Sequence, residues 1–250
     1  MIRKAVIPAA GFGTRFLPVS KSQPKEMLPI VDKPVIQYVV EEAVASGITD
    51  ILMIIGKSKR AIEEYFDRNF ELEHELISKN KEEDLEILRK ISDMANVHFV
   101  WQKQLNGLGD AVMYAADHVG DEPFALLLGD TLVESDTPVT KQLMDEFAKR
   151  RASVVALEEV PKEKVSRYGV MAGECINSNL YRVNDFVEKP KQEEAPSNLA
   201  IAGRYVFTPD LFDFIRKLEP GLNNEIQLTD AMKAMAVEST VFGLRFDGIR

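Results

Sequence analysis

The chain of 250 residues has few of the side chains that build several common kinds of catalytic site. Cys175 is the only cysteine, which excludes an internal disulfide or a cysteine-rich zinc site and is typical of a reducing compartment. The three histidines, His74, His98 and His118, share no metal-ligand spacing, and we interpret them as structural or surface residues. No serine or cysteine lies in a nucleophile elbow and no acid pair is arranged for glycoside cleavage, so the sequence does not indicate a hydrolase.

The chain also lacks an excess of positive charge and long apolar runs. The formal net charge of -9 argues against DNA, RNA or an anionic membrane as the main partner, because these polyanions bind basic surfaces. No apolar run reaches membrane-spanning length, and the N-terminus lacks the pattern of a signal peptide. We therefore expect a cytoplasmic protein with no nucleic-acid or membrane partner. The charge still allows a mononucleotide ligand.

Glycine and positive charge come together near the N-terminus. An apolar run at residues 5–8 continues into Ala9-Ala10-Gly11-Phe12-Gly13-Thr14-Arg15, and Lys25 follows ten residues after Arg15. A glycine-rich turn at the end of a strand exposes backbone N–H groups that bind phosphate, and two cations neutralise a triphosphate. The pattern predicts a nucleoside triphosphate site. The alternative is a surface turn that uses glycine only for its backbone freedom.

The spacing of this loop does not fit two familiar nucleotide motifs. A dinucleotide-binding loop needs a third glycine where this chain has Phe16, which is too bulky for close packing of helix against strand. A P-loop needs four residues between its glycines and then Gly-Lys-Ser/Thr, which Gly11, Gly13 and Thr14 do not provide. A dehydrogenase and an ordinary P-loop kinase or GTPase are therefore not indicated.

The hydrophobic pattern predicts an α/β fold with a mostly parallel, mixed central sheet flanked by helices. Continuous apolar runs at 51–55 and 124–128 indicate buried strands, and helices are predicted at 35–46, 59–66 and 109–118. Leucine and isoleucine spacing at 71–92 indicates two amphipathic helices that are separated near Asn80. Short strands predicted at 153–158, 169–172, 181–188 and 200–207 make the second half a small β-rich lobe suited to an acceptor. We expect one domain over 1–250, with a nucleotide-binding half at about 1–135.

Further candidate residues each have an ordinary structural alternative. Asp130 follows a buried strand, where open α/β sheets bind ligands, so it suits either a Mg²⁺ ligand or a turn and cap residue. Glu188 and Lys189 precede Pro190 at a predicted strand end, so they lie either in a cleft or at an exposed strand end. The amide of Gln102 either pairs with a base edge or satisfies the backbone. These alternatives remain open on position alone.

Taken together, these segments resemble the bacterial UTP:glucose-1-phosphate uridylyltransferase family, also called UDP-glucose pyrophosphorylases, within the Rossmann-like sugar nucleotidyltransferases. The resemblance covers essentially the whole chain. It is carried by Ala9-Ala10-Gly11-Phe12-Gly13-Thr14-Arg15, Pro24-Lys25-Glu26-Met27-Leu28-Pro29, Gly107-Leu108-Gly109, Val187-Glu188-Lys189-Pro190, Pro196-Ser197-Asn198-Leu199-Ala200 and Asn224-Glu225-Ile226-Gln227-Leu228-Thr229-Asp230.

The resemblance implies a role for each candidate residue. The nucleotide would be bound by Ala10, Gly11, Gly13, Glu26, Gln102 and Gly107. The catalytic cations would be Arg15, Lys25 and Lys189. Mg²⁺ would bind Asp130, and glucose 1-phosphate would contact Gly169 and Glu188 together with Lys189, in a sugar-phosphate-binding half at about 136–250.

The resemblance also implies a reaction and an assembly. A phosphate oxygen of glucose 1-phosphate would attack the α-phosphorus of UTP with Mg²⁺ present, giving UDP-glucose for polysaccharide synthesis and pyrophosphate, in a homo-oligomer such as a dimer or tetramer. Such transfer relies on positioning and charge neutralisation, which suits a chain without a placed general base. The alternatives are a sister enzyme that uses dTTP or ATP, and a non-catalytic binder of nucleotide sugars.

The chain departs from the family pattern at two positions near the predicted site. Asp110 stands where the family usually has histidine, and Thr131 stands where a second acid often follows the metal aspartate. Residues 241–250 resemble the family's last strand, which implies that a second metal aspartate and a C-terminal helix lie beyond Arg250. Asp247 matches the turn before that aspartate, and we assign it no metal role.

Overall fold

We describe a computed structural model of the chain, which covers residues 2–221 and 224–250. The strands in these residues are β1 Lys4–Ala9, β2 Pro29–Ile30, β3 Lys33–Pro34, β4 Asp50–Ile55, β5 Asn96–Trp101, β6 Phe124–Leu127, β7 Ser153–Glu159, β8 Gly169–Cys175, β9 Leu180–Glu188, β10 Leu199–Phe207 and β11 Val241–Arg245. Nine of them form one mixed sheet in the order β5-β4-β1-β6-β10-β7-β11-β9-β8, and β2 pairs with β3 in a separate hairpin.

Helices connect the strands and cover both faces of the sheet. The α-helices in the described residues are α1 Val35–Ala45, α2 Arg60–Phe66, α3 Phe70–Ser78, α4 Glu82–Ser92, α5 Leu108–Met113, α6 Ala116–Val119, α7 Val139–Arg150, α8 Leu211–Arg216 and α9 Leu228–Glu238. Val40 of α1 and Leu143 of α7 pack into the hydrophobic core on one face. Val112 of α5, Phe212 of α8 and Met232 of α9 pack into the core on the other face. The sheet is therefore the middle of three layers.

The first half of the sheet is parallel because helices or long loops return the chain between its strands. β1 lies between β4 and β6, and β5 pairs with the outer side of β4, all in parallel register. Every residue of β4 after Asp50 is buried, as expected for a strand covered on both faces. The carboxyl ends of β1, β5 and β6 consequently lie at one edge, where Ala10, Gln102 and Asp130 follow in sequence.

The second half of the sheet is organised by β10, which is buried along its whole length. β10 runs antiparallel to β6 and β7, and its register shifts between Ile201 and Tyr205, where Gly203 has a φ of 74°. The residues before this shift extend beyond the end of β6, and Ala200 pairs there with Val170 of β8. Since the residue before Val170 pairs with Glu188 of β9, that glutamate is brought to the same edge as the end of β6.

The predicted α/β class with a mixed central sheet is confirmed, while one predicted helix is wrong. The helix expected at 109–118 is divided into α5 and α6, because the N–H groups of Tyr114 and Ala115 bond to carbonyls three residues earlier. The chain therefore leaves the α-helical path at Tyr114. No helix of the described residues is both long and apolar enough to cross a membrane.

The acidic and basic stretch at 71–92 forms the two predicted helices, α3 and α4. They are separated at Asn80, which adopts a left-handed φ of 53°. Leu72 is exposed, and the other residues of the predicted apolar stripe, Leu76, Leu85, Leu88 and Ile91, are only half-buried. The helices thus pack mainly on each other and cover less of the core than their spacing suggests.

Candidate active site

A cleft of about 480 Å³ lies at the carboxyl ends of the parallel strands. Its walls include all six residues predicted to bind the nucleotide, one predicted catalytic lysine and the predicted metal ligand. In chain order these are Ala10, Gly11, Gly13, Lys25, Glu26, Gln102, Gly107 and Asp130. The structure therefore brings together residues that are up to 120 positions apart in the sequence, at the place where open α/β sheets bind ligands.

The glycine-rich loop and Lys25 form the wall beside β1. Gly13 adopts a left-handed conformation with φ 68° and ψ 35°, and a Cβ atom there would lie 3.2 Å from the Cβ of Lys25. Glycine at this position therefore lets the lysine pack against the loop. Lys25 reaches Asp130, with 2.5 Å between its Nζ and the Asp130 Oδ2. A cation and a carboxylate thus face each other in the cleft, where they are available to phosphate and to a metal ion.

Glu26 forms the floor of the cleft through an ion pair that is closed to water. Its side chain is 1% exposed, and its Oε2 accepts a hydrogen bond of 2.8 Å from the Nζ of Lys59, which is 2% exposed. The other oxygen, Oε1, lies 3.9 Å from the Nζ of Lys25. A buried carboxylate needs such partners because burial without them is costly. The sequence does not indicate this role of Lys59, because nothing about a single lysine before a helix predicts that its side chain is buried.

The opposite wall is formed where Gly107 meets the start of the segment before α9. A Cβ atom at Gly107 would lie 2.6 Å from the backbone oxygen of Ile226 and 2.9 Å from the Cβ of Glu225. Glycine is required there by this contact and by its φ of 106°. The N–H of Ile226 donates to the backbone oxygen of Asn106, which closes the junction. Glu225 itself lines the cleft.

The predicted sugar-phosphate residues form a second cluster. Gly169 pairs with Glu188 across β8 and β9, and Lys189 places its Nζ 2.9 Å from the Glu188 Oε1. The hydroxyl of Thr229, at the start of α9, donates a hydrogen bond of 2.7 Å to the Glu188 Oε2. Thr229 belongs to the segment 224–230 that resembles the family, but the resemblance implies no role for it. The segment 225–229 thus contacts Gly107 at one end and Glu188 at the other, and joins the two clusters.

Two residues that do not line the cleft differ in burial. Tyr205 is buried in β10, and burial raises the pKa of its hydroxyl, as do the carboxylates of Glu188 and Asp130, while Arg204 and Arg250 lower it. Arg15, in contrast, is exposed, does not line the cleft and contacts no charged partner among the described residues. Its predicted role in binding the triphosphate stays a prediction.

The histidines lie away from the cleft. His98 and His118 converge on one carboxylate oxygen of Asp50, with Nε2 to Oδ1 distances of 3.5 and 2.9 Å. Asp50 begins β4, so this group lies at the end of the sheet opposite the cleft. In the described part of the chain, the geometry yields no group of three histidine, cysteine or carboxylate side chains that could hold a metal ion.

Asp130 is the candidate ligand for a metal ion in the cleft. Asp130 presents a partly exposed carboxylate next to the loop that we expect to bind phosphate. Mg²⁺ typically binds one or two protein carboxylates and completes its octahedral shell with phosphate oxygens and water, whereas structural zinc needs four protein ligands. A lone aspartate beside a phosphate site therefore suits Mg²⁺.

A mixed α/β sheet with a glycine-rich loop, a facing lysine and an aspartate at the carboxyl ends of its parallel strands is the arrangement expected of a nucleotide-dependent transferase. The chain belongs to the nucleotidyl transferase family, whose sequence pattern matches residues 4–247. The resemblance to its uridylyltransferase branch is confirmed. The chain is 52% identical to a UTP--glucose-1-phosphate uridylyltransferase of Bacillus subtilis (strain 168), over 100% of this chain and 85% of that protein.

Solved structures agree with this assignment. A UDP-glucose pyrophosphorylase complexed with UDP-glucose superposes with a TM-score of 0.92 and 46% identity, over 100% of this chain and 92% of that chain. A UTP-bound UGPase from Acinetobacter baumannii superposes with a TM-score of 0.89 and 40% identity, over 100% of this chain and 87% of that chain. The predicted fold class is therefore also that of these proteins.

Proposed function

We propose that the chain transfers the uridylyl group of UTP to glucose 1-phosphate. A phosphate oxygen of the sugar phosphate attacks the α-phosphorus of UTP, a new P–O bond forms, and the bond to the β-phosphate breaks to release pyrophosphate. The observation that carries this proposal is the Lys25–Asp130 pair in a cleft beside the glycine loop, since it supplies a cation and a carboxylate next to the loop that would bind the triphosphate. The relatives' names supply the nucleotide and the sugar.

In this proposal one cluster binds the nucleotide and the other binds the sugar phosphate. Gln102 and Gly107 would bind the base and Lys25 the phosphates, while Glu188 and Lys189 would hold the sugar phosphate. Pairing with Glu188 keeps the Nζ of Lys189 at the edge of the second cluster, where it would meet the phosphate of the acceptor. The proposed halves, about 1–135 and 136–250, follow this division. The sugar phosphate is already an anionic nucleophile, so no general base is required.

The nucleotidyl transferase family generally uses a divalent metal ion, and we propose Mg²⁺ for this chain. Asp130 would hold the ion together with phosphate oxygens, and the ion would neutralise charge on the triphosphate. Cytoplasmic location and assembly into a dimer or tetramer stay predictions. The native mass of the purified protein tests the predicted oligomeric state.

The test is pyrophosphate release with Mg²⁺, glucose 1-phosphate and, in parallel, UTP, dTTP, ATP, CTP and GTP. We expect rapid release with UTP alone or with UTP far ahead of the others. Preference for dTTP or ATP would favour a sister enzyme. Tight binding of UTP without pyrophosphate release, in a titration that includes Mg²⁺, would favour a non-catalytic binder.

A further inference from the structure

We propose that Asp110 is a positioning residue for base recognition, which fixes the side-chain amide of Gln102 so that its carbonyl oxygen faces the nucleotide. The site then selects a pyrimidine that carries hydrogen on N3. The inference rests on the proposed function, because it concerns the nucleotide of that reaction. It goes beyond it by naming a residue and a mechanism of selection.

The contact is short, and it joins a buried amide to a half-buried carboxylate. The Nε2 of Gln102 donates a hydrogen bond of 2.7 Å to the Oδ2 of Asp110, and the backbone oxygen of Gly107 lies 3.5 Å from the same nitrogen. Gln102 is only 6% exposed yet forms part of the cleft wall. Among the described residues, no donor reaches the Oε1 of Gln102. The amide nitrogen is therefore engaged by the protein, and the carbonyl oxygen remains for a ligand.

The chemistry of the two neighbours allows this orientation and opposes the reverse one. A carboxylate and a backbone carbonyl only accept hydrogen bonds. If the amide of Gln102 rotated by half a turn, its oxygen would face two other oxygens in a buried site, and the lost hydrogen bond would leave polar atoms unsatisfied. Asp110 thus fixes the orientation of the Gln102 amide.

The fixed amide distinguishes bases by the group at N3. Uracil has a hydrogen on N3 that donates to the Oε1 of Gln102. N3 of cytosine carries no hydrogen and is an acceptor, so two acceptors would face each other and no hydrogen bond would form. A site built to bond a particular donor rejects an analogue that lacks it more strongly than an apolar pocket does. Thymine also carries hydrogen on N3, so this contact separates UTP from CTP and not from dTTP.

Asp110 has a competing structural role that the test must separate. It lies in the first turn of α5, where a negative charge favours the helix N-terminus. Loss of that effect alone would alter stability and would reduce activity equally with every nucleotide. The ratio of kcat/KM for UTP to that for CTP is therefore the quantity that distinguishes positioning from helix stabilisation.

The experiment compares this ratio in the full chain and in Asp110→Asn, which keeps the shape of the side chain but gives it donor hydrogens. We expect the UTP to CTP ratio to fall by about tenfold or more, because the amide of Gln102 can then rotate and donate to N3 of cytosine. Asp110→Glu, which still only accepts, should keep the ratio close to that of the wild type. Asp117→Asn, an exposed acid on α6, is the matched control and should change nothing.

The outcomes are distinct. A folded Asp110→Asn protein with an unchanged UTP to CTP ratio overturns the inference, and so does an equal fall of the ratio in Asp110→Glu. If Asp110→Asn does not fold, Asp110→Gln, which also carries donor hydrogens and matches Asp110→Glu in shape, is the second donor variant, and the same criterion applies to it. A wild-type chain that turns over no UTP would contradict the proposed function instead, so the two failures are told apart.

Discussion

Arg204 donates a hydrogen bond of 2.8 Å from its Nη2 to the backbone oxygen of Thr131, the residue that follows Asp130. The same guanidinium forms an ion pair with Glu42 of α1, with 2.8 Å between Nη2 and Oε2. Arg204 is 1% exposed and follows Gly203, the glycine at the register shift of β10. A buried ion pair therefore holds the loop that carries the candidate metal ligand.

Removing the guanidinium should be costly for folding. Arg204→Met leaves the carboxylate of Glu42 buried without its main partner, and breaking such a pair typically costs about 3–5 kcal/mol. The measurement is the free energy of unfolding in urea. Arg216→Met, which breaks an exposed ion pair with Asp213, is the control and should cost less than about 1 kcal/mol. Similar losses in both variants would contradict the role given to Arg204.

Lys189 should matter for turnover far more than for folding. Its side chain is partly exposed and, among the residues that the structure describes, forms an ion pair only with Glu188. We expect Lys189→Ala to lower kcat by about a hundredfold, the typical loss when one group that stabilises transition-state charge is removed. Lys191→Ala, at an exposed lysine two positions later, should leave kcat unchanged. Equal losses of activity and thermal stability in Lys189→Ala would instead indicate a structural role.

Gly107 and Gly11 should respond differently to an added methyl group. Gly107→Ala forces a Cβ against the backbone of Ile226 at a left-handed φ, so we expect destabilisation of about 1–3 kcal/mol. Gly11 has no neighbour within 4 Å of such a Cβ. Gly11→Ala should therefore keep its stability and raise the KM for UTP, because the methyl group enters the cleft. Urea unfolding and initial rates test both; a stable Gly107→Ala protein would argue against the junction described above.

Tyr65 should make stability sensitive to alkaline pH. Burial raises the pKa of its hydroxyl to about 12, with help from the carboxylates of Glu41 and Asp32, and the hydroxyl donates to Gln37. The folded-state pKa of Tyr65 exceeds the unfolded value of about 10. The contribution of Tyr65 to the free energy of unfolding is therefore fully present below a pH of about 10, and it is lost as the pH rises from there through the folded-state pKa. Between pH values of about 8 and 11, the wild type should lose up to about 1 kcal/mol relative to Tyr65→Phe. A constant difference would contradict this.

Much of the fold and the cleft was predictable because it depends on local signals. The apolar run at 51–55 forms β4, and the helix predicted at 35–46 is observed as α1. Gly11 and Asp130 each follow a predicted strand, and the carboxyl ends of parallel strands share one edge. Their meeting in one cleft therefore follows from the sequence pattern, whereas β5, the strand before Gln102, is not among the predicted strands.

The remaining features depend on tertiary contacts that leave no local signal. In the sequence, nothing distinguishes Arg204 from an exposed arginine. In the structure, it follows the register shift in β10 and forms an ion pair with Glu42. Gln102 and Asp110 are eight positions apart, and the irregular segment between β5 and α5 brings them together. The break at Tyr114 was also missed, since Ala115 and its neighbours have good helix propensity and the local turn overrides it.

The measurement that tests the central claim most directly follows oxygen-18 from labelled glucose 1-phosphate through the reaction with UTP and Mg²⁺. If a phosphate oxygen of the sugar attacks the α-phosphorus, mass spectrometry will find every labelled phosphate oxygen in UDP-glucose and none in pyrophosphate, with the two products in equal amounts. Label in the pyrophosphate, or pyrophosphate formed without UDP-glucose, would contradict the proposed transfer.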